Sequence, residues 1–234
     1  MGSLYLVRHG QASFGAADYD QLSELGVIQS DLLGRWLSTA GLRPTQVISG
    51  TMKRHRQTAD ACLAAWFGGN GSPVLPIVDS AFNEFDHEEV LIRARPEFAE
   101  AGRLEQFIAA QPEGQRAFQA VFAASVRRWI DSNHDADYGE TWGQFRTRCV
   151  DGLLAVAGRQ ADGDSWIFTS GGPIAAIFQH VLAIPNDRIL DLNWSILNTG
   201  VTQFVHRNGR TRLQQFNSVA HLALAGRPGL ESYR

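Results

Sequence analysis

The sequence has two cysteines, a single lysine and no long hydrophobic run. Cys62 and Cys149 lie far apart and show no metal-ligand spacing, which excludes a disulfide framework and a cysteine-based zinc site. No stretch reaches the roughly 20 apolar residues of a membrane span, and the apolar run near the start ends at Arg8 and His9, unlike a signal peptide. We therefore expect a protein of the reducing cytoplasm with no membrane partner.

The charge balance also excludes a class of partners. The chain has 21 basic and 24 acidic side chains and a net charge of -3, too little positive charge for a protein that tracks a nucleic-acid backbone. Because Lys53 is the only lysine, nearly every positive group is a guanidinium, which binds phosphate or carboxylate in a bidentate manner. The 234 residues are 44% hydrophobic and 19% charged, as in ordinary globular proteins.

Alternating strand and helix patterns predict an α/β fold. Residues 4–7 form a short apolar run typical of a strand buried on both faces, and residues 23–40 have helical apolar spacing. Further strands are predicted at residues 47–49, 74–78 and 166–169. These patterns favour a three-layer α/β domain with a mostly parallel sheet, in which ligands bind at the carboxyl ends of the strands.

The remaining segments complete a single predicted domain over residues 1–234. Helices are predicted over residues 52–66 and 170–182, each directly after a strand, and a mostly helical insertion over about residues 88–139. Near the end, residues 201–206 and 211–216 flank Asn208-Gly209, a dipeptide that favours a hairpin turn. The tail after Ala225 is expected to be loose.

Reactive side chains follow the predicted strands. Arg8 and His9 end the first strand, Arg54 opens the helix after the second, Glu84 follows the third, and residues 170–172 follow the fourth. All four should therefore meet at one edge of the sheet. Two guanidiniums there can hold a phosphoryl group, a histidine can attack phosphorus, and an acid can protonate the leaving oxygen.

Residues 6–10, Leu-Val-Arg-His-Gly, resemble the signature of the histidine phosphatase superfamily, the phosphoglycerate mutase-like family. Residues 49–59, 83–85, 139–142 and 217–222 are similar to later segments of that family, as are Phe145 and Arg148. The resemblance implies a phosphoglycerate mutase-like α/β/α sandwich and a reaction without metal or other cofactor. It further implies that His9 is phosphorylated transiently, that Arg8 and Arg54 clamp the phosphate, and that Glu84 donates the proton.

One departure from the family falls on a phosphate ligand. The family has Ser-His-Gly-Gly at the turn where this chain has Thr-Ser-Gly-Gly, so that Ser170 replaces the second family histidine. A hydroxyl can donate one hydrogen bond to phosphate but carries no positive charge. The N–H groups of the helix opened by Gly171 are expected to compensate in part. The loop at residues 11–15 also departs from the phosphoglycerate mutases, yet Gln11 and Ser13 lie close enough to touch a phosphate, or serve only as turn residues.

The other histidines and charges near these motifs have simpler interpretations. Lys53 and Arg56 should be solvated, and His55 should pack in the helix or face solvent, outside the site. His87 lies three positions after Glu84 and either replaces the missing imidazole or lies in a surface loop. His221 is expected to be structural.

These observations leave three functions open. The first is a metal-independent phosphomonoesterase, slow or narrow in specificity, in which Arg8, Arg54 and Ser170 hold the phosphoryl group. The second is a pseudoenzyme that binds phosphate or a phosphoprotein, because Ser170 is a weaker ligand than histidine. The third, a mutase, is disfavoured by the altered loop. A phosphorylated small molecule or a phosphoprotein is the expected partner, and a homodimer stays open because no segment predicts an interface.

Overall fold

A computed structural model describes residues 2–13, 19–69, 73–159 and 163–233. The strands within these residues form one six-stranded sheet in the order β3-β2-β4-β1-β5-β6. The strands are β1 Ser3–Arg8, β2 Pro44–Ser49, β3 Ile77–Val78, β4 Asp164–Thr169, β5 Val201–Arg207 and β6 Arg210–Ser218.

The sheet is parallel on one side and antiparallel on the other. β1 pairs in parallel with β4, which pairs in parallel with β2, and β2 pairs in parallel with β3. β5 and β6 add antiparallel strands beyond β1, joined by the hairpin that Asn208-Gly209 predicts. Arg8 at the end of β1 lies opposite Thr169 at the end of β4, and the neighbouring Phe168 lies opposite Ser49 at the end of β2. The carboxyl ends of the three central strands therefore meet at one edge.

Helices follow the parallel strands and fill the segment between β3 and β4. α1 begins after Ser23, whose hydroxyl accepts the Gly26 N–H at 3.1 Å. The region predicted as a helical insertion contains three helices and short 3₁₀ turns, with no strand in residues 88–139. The helices in the described residues are α1 Glu24–Thr39, α2 Lys53–Trp66, α3 His87–Ala94, α4 Arg103–Ala109, α5 Gly114–Ile130, α6 Trp142–Arg159, α7 Gly171–Leu182, α8 Ile189–Ser195 and α9 Ala220–Leu224.

The hydrophobic core lies on both faces of the sheet. Val7 and Phe168 pack with α1 and α2 on one face, whereas Leu6 and Ile167 pack with α6 and α7 on the other. Because successive side chains of a strand point to opposite faces, each central strand has to be apolar throughout. The predicted three-layer arrangement with a mostly parallel sheet is confirmed.

Two segments differ from the sequence predictions. The strand expected over residues 74–78 is reduced to Ile77–Val78, an edge pair about half exposed, and Leu75 is exposed. The tail is not loose, since Leu230 is buried and its carbonyl accepts a hydrogen bond from Gln29 Nε2 at 2.7 Å. In the part of the chain that the structure describes, no helix combines the length and the apolar character needed to cross a membrane.

Candidate active site

His9 lies directly after β1 with only 5% of its surface exposed. Its Nδ1 is 2.7 Å from the Gly10 carbonyl oxygen. A carbonyl can only accept, so Nδ1 carries the proton and Nε2 keeps a free lone pair. Burial, followed by the charges of Arg54 and Arg8, holds the pKa of His9 well below its usual range. His9 is thus a neutral imidazole with a nucleophilic nitrogen at neutral pH.

The backbone of His9 is fixed by the segment before β5. The His9 carbonyl accepts from Asn198 Nδ2 at 3.0 Å and from the Thr199 N–H at 3.3 Å. Thr199 adopts a φ of 55°, unusual for a β-branched residue, and its hydroxyl is 2.8 Å from His221 Nε2. Burial lowers the pKa of His221 to about 4, so this ring is neutral. Its place behind Thr199, not beside the His9 ring, agrees with the structural role expected of it.

Arg54 is the second residue of α2, and that helix is tied to the turn after His9. The Gly10 N–H donates to Thr58 Oγ1 at 3.0 Å, and the Thr58 hydroxyl donates to the Arg54 carbonyl at 2.6 Å. The Arg54 side chain is buried, and its Nη1 donates to Asp20 at 2.7 Å. Its Nε is buried without a hydrogen-bond partner among the described residues.

Arg8 has a similar arrangement. Its Nη1 donates to the Ile196 carbonyl and its Nη2 to the Tyr233 carbonyl at 3.2 Å, whereas its Nε is buried with no partner in the described residues. Burial lowers its pKa to about 10, although nearby Glu84 opposes that shift, so Arg8 remains charged at neutral pH. A buried unpaired donor costs about 1–3 kcal/mol, and more when it is charged. The guanidiniums of Arg8 and Arg54 lie near His9, and an anion with several acceptor oxygens could pair with their buried Nε donors.

Glu84 lies in the loop before α3 and contacts the first turn of α7. The Gly172 N–H donates to Glu84 Oε2 at 3.1 Å, and a Cβ at Gly172 would lie 1.9 Å from Oε1. Glycine at this position is therefore required for the carboxylate to approach the helix. The sequence predicts that N–H groups of this helix bind phosphate and compensate in part for the histidine replaced by Ser170, but the Gly172 N–H donates to Glu84.

The loop that carries Glu84 is held from two sides. Asn83 accepts from the Thr51 N–H and donates to the Thr51 hydroxyl, both at 2.7 Å. Arg148 Nη1 donates to the carbonyls of residues 80, 81 and 83, while its other donors form a bidentate pair with Glu140 at 2.7 and 2.9 Å. These contacts place Glu84 on the same edge of the sheet as Arg8 and Arg54.

Ser170 is fully buried at the end of β4, and its hydroxyl is 2.6 Å from His55 Nε2. The His55 ring is also fully buried, with its centroid 5.7 Å from that of the His9 ring. Burial, followed by the charge of Arg54, keeps the pKa of His55 well below its usual range. His55 therefore lies beside the candidate nucleophile, whereas the sequence predicts a position outside the site. The available signal was an imidazole directly after Arg54 in a chain whose expected histidine at position 170 is serine.

The other candidates occupy different surroundings. The centroid of the His87 ring lies 4.5 Å from that of Phe85 and 6.0 Å from that of Phe122, with both ring pairs tilted, and burial lowers the pKa of His87 despite nearby Glu84. Gln11 Oε1 accepts from Ser23 at 2.8 Å, and the Ser13 N–H donates to the Gln21 carbonyl, so both residues pair with the segment before α1.

Residues 14 and 15 of the altered loop lie outside the described residues. Among the residues that are described, no three His, Cys, Asp or Glu side chains cluster in a way that could hold a metal ion.

Solved structures share this fold at low sequence identity. A phosphoglycerate mutase from Bacillus anthracis str. Sterne superposes with a TM-score of 0.64 at 16% identity, covering 97% of each chain. A mycobacterial glucosyl-3-phosphoglycerate phosphatase gives 0.61 at 20% identity, covering 93% of this chain and 99% of its own. A mutant phosphoserine phosphatase from Entamoeba histolytica in complex with phosphoserine gives 0.58 at 17% identity, covering 95% and 100%.

Sequence comparison identifies a family but no individual curated relative. No curated protein is similar enough in sequence to count as a match. The model of the histidine phosphatase superfamily (branch 1), however, matches residues 4–219, nearly the whole chain. The fold is phosphoglycerate mutase-like, and the chain belongs to branch 1 of the histidine phosphatase superfamily.

Proposed function

We propose that this protein is a metal-independent phosphatase that hydrolyses phosphomonoesters through a phosphohistidine at His9. One observation carries the proposal: a neutral imidazole presents a free Nε2 lone pair among guanidiniums whose buried Nε donors have no partner within the described residues. A phosphoryl group supplies both an electrophilic phosphorus and the missing acceptor oxygens.

The reaction has two steps. His9 Nε2 attacks phosphorus as the bond to the ester oxygen breaks, and Glu84 gives that oxygen a proton, so that an alcohol leaves. A water molecule then gives its proton to Glu84 and attacks the phosphohistidine, which releases inorganic phosphate and restores the neutral His9. Arg8 and Arg54 offset the negative charge on the phosphoryl oxygens in both steps.

Ser170 is the third ligand of the phosphoryl group in this proposal. A hydroxyl donates one hydrogen bond without positive charge, so the transition state is stabilised less than by an imidazolium. Loss of one oxyanion donor costs on the order of 2.7–4 kcal/mol in known enzymes. We therefore expect slow turnover compared with a phosphatase that has histidine at this position.

The proposed substrate is a phosphorylated small molecule. Two of the similar structures are phosphatases, and one of them holds phosphoserine. The insertion that carries α3, α4 and α5 follows Glu84 directly, so it is the segment best placed to select the alcohol part of the substrate.

The first experiment measures hydrolysis of a panel of phosphomonoesters in the presence of a metal chelator. We expect His9→Ala to lose at least about 10³-fold in kcat/KM, because the nucleophile is gone. His180→Ala is the matched control, since it removes an exposed imidazole from the far end of α7. Full activity in His9→Ala would contradict the proposal. Phosphate binding without turnover in the natural protein would favour the pseudoenzyme.

A further inference from the structure

The imidazole of His55 lies behind Ser170, on the side of α2. Its Nε2 is 2.6 Å from the Ser170 hydroxyl, and its ring centroid is 5.7 Å from that of His9. The side chains of His55 and Ser170 are both fully buried. The His55 imidazole and the Ser170 hydroxyl are therefore not on the protein surface but packed at the same strand end as the nucleophile.

The turn between β2 and α2 is shaped around this ring. A Cβ at Gly50 would lie 2.2 Å from His55 Nδ1 and 3.0 Å from its Cε1. A side chain at position 50 would therefore force this ring or the turn to shift, so the observed place of the ring depends on the glycine.

The position of the His55 proton follows from its unpaired nitrogen. Nδ1 is buried and has no partner among the described residues. If Nε2 accepted the serine proton, Nδ1 would be a buried N–H without an acceptor, which is rare in folded proteins. With the proton on Nε2, His55 donates to Ser170 Oγ and Nδ1 keeps only an unused lone pair.

This direction determines what the serine hydroxyl can do. Because Ser170 Oγ accepts from His55, its own proton is available for another acceptor. A hydroxyl that accepts one hydrogen bond is polarised and donates a stronger second one. The chain from His55 to Ser170 therefore ends in an oriented donor next to His9, with no proton transfer needed.

We infer that His55 is a positioning residue, which acts through Ser170 to orient a donor toward the phosphoryl group and so takes over part of the role of the missing histidine. The inference rests on the proposed phosphatase activity. It assigns the compensation to His55 on α2. The sequence left open whether His87 replaces the missing imidazole or lies in a surface loop, and the His87 ring packs against Phe85 and Phe122.

A double-mutant cycle on hydrolysis of p-nitrophenyl phosphate tests the inference. We expect Ser170→Ala to lower kcat by roughly 100-fold and His55→Phe by roughly 10-fold, as for the loss and the misorientation of one neutral donor. The double variant should be no slower than Ser170→Ala, because His55 acts only through the hydroxyl. An unchanged kcat in His55→Phe, or losses that multiply in the double variant, would overturn the inference.

A second pair of variants separates orientation from packing. Gln can place its amide N–H near the position of His55 Nε2, whereas Asn places it near Nδ1. We expect His55→Gln to retain most of kcat and His55→Asn to be as slow as His55→Phe. Equal losses in Gln and Asn, with both variants folded by circular dichroism, would show that His55 is only structural. This pair also decides the question if His55→Phe fails to fold.

Binding of orthovanadate, measured by calorimetry on the same variants, distinguishes this inference from the proposed function. If the natural protein lacks turnover but His55 and Ser170 are coupled in vanadate binding, the proposed function fails and the positioning role remains. If turnover depends on His9 while His55 and Ser170 are not coupled in kcat or in binding, the positioning role fails and the phosphatase remains.

Discussion

Two groups of buried polar side chains meet at His9 and differ in how completely they are paired. On the side of its ring lies the unpaired cluster of Arg8, Arg54 and His55, each with one buried nitrogen that has no partner in the described residues. On the side of its backbone lies the paired network of Asn198, Thr199, His221 and Ser232. There Asn198 donates to the His9 carbonyl and accepts from the Ser232 hydroxyl at 2.9 Å.

The difference indicates what each group is for. The paired network completes its hydrogen bonds within the protein and fixes the backbone that carries the nucleophile. In the unpaired cluster, the buried Nε donors of Arg8 and Arg54 have no acceptor among the described residues, which destabilises the folded chain unless a ligand supplies one. Natural proteins retain such local conflicts mainly at functional sites. The two groups should therefore respond in opposite ways to substitution.

The largest expected effect is in the unpaired cluster. Arg54→Met keeps the side-chain volume but removes the charge, so kcat/KM should fall by about 10³-fold. The free energy of unfolding should change by less than about 1 kcal/mol, because the lost ion pair with Asp20, whose side chain is 34% exposed, is offset by the removal of a buried donor that has no partner among the described residues. Kinetics and urea denaturation measure the two quantities.

Arg56→Met is the matched control for this substitution. Arg56 is exposed two positions further along α2. Its replacement should alter neither the rate nor the stability. A loss of several kcal/mol in Arg54→Met without a change in rate would reverse the comparison, since Arg54 would then be a structural residue.

The paired network should behave in the opposite way. Asn198 is fully buried, and Asn198→Ala removes its hydrogen bonds to the His9 carbonyl and to Ser232. We expect the free energy of unfolding to fall by about 2–3 kcal/mol. Activity per folded molecule should fall by no more than about 10-fold, because the side chains around the phosphoryl group are intact. Asn133→Ala, at an exposed position, is the control. If Asn198→Ala lost activity without losing stability, Asn198 would act in the reaction, and the proposed difference between the two groups would be wrong.

The sequence predicts best what depends on neighbours along the chain. The apolar runs around Leu6 and Ile167 predict central strands, and Asn208-Gly209 predicts the hairpin, because strand period and turn chemistry are local properties. Arg8 and Arg54 lie at the same edge of the sheet, since Arg8 ends β1 and Arg54 is the second residue of the helix that follows β2.

What the sequence does not predict depends on contacts across the fold. Helical spacing leaves open whether His55 packs or faces solvent, and it does not show that Gly50 leaves space for the ring or that Ser170 lies against it. The tail illustrates the same limit, because Leu230 is ordered by Gln29 of α1, a partner 201 positions away. Such contacts have no periodic signature.

The smallest expected effect concerns the pH dependence of the paired network. Folded His221 stays neutral down to its pKa of about 4, whereas in the unfolded chain it takes up a proton near pH 6.5. Between these values the unfolded chain binds more protons, so the free energy of unfolding falls as the pH drops. At pH 5.5 this contribution is about 1.4 kcal/mol, from roughly one pH unit below the unfolded value. His221→Gln keeps a donor for the Thr199 hydroxyl but cannot titrate. Relative to the natural protein, the free energy of unfolding of this variant should therefore rise by about that amount between pH 7.5 and pH 5.5, as measured by urea denaturation.

The difference between the two proteins at pH 7.5 serves as the internal control for packing, because the His221 ring and the amide that replaces it are both neutral there. A constant difference at both pH values would mean that His221 is protonated in the folded network, and the network would then contain a buried charge like the cluster on the other side of His9.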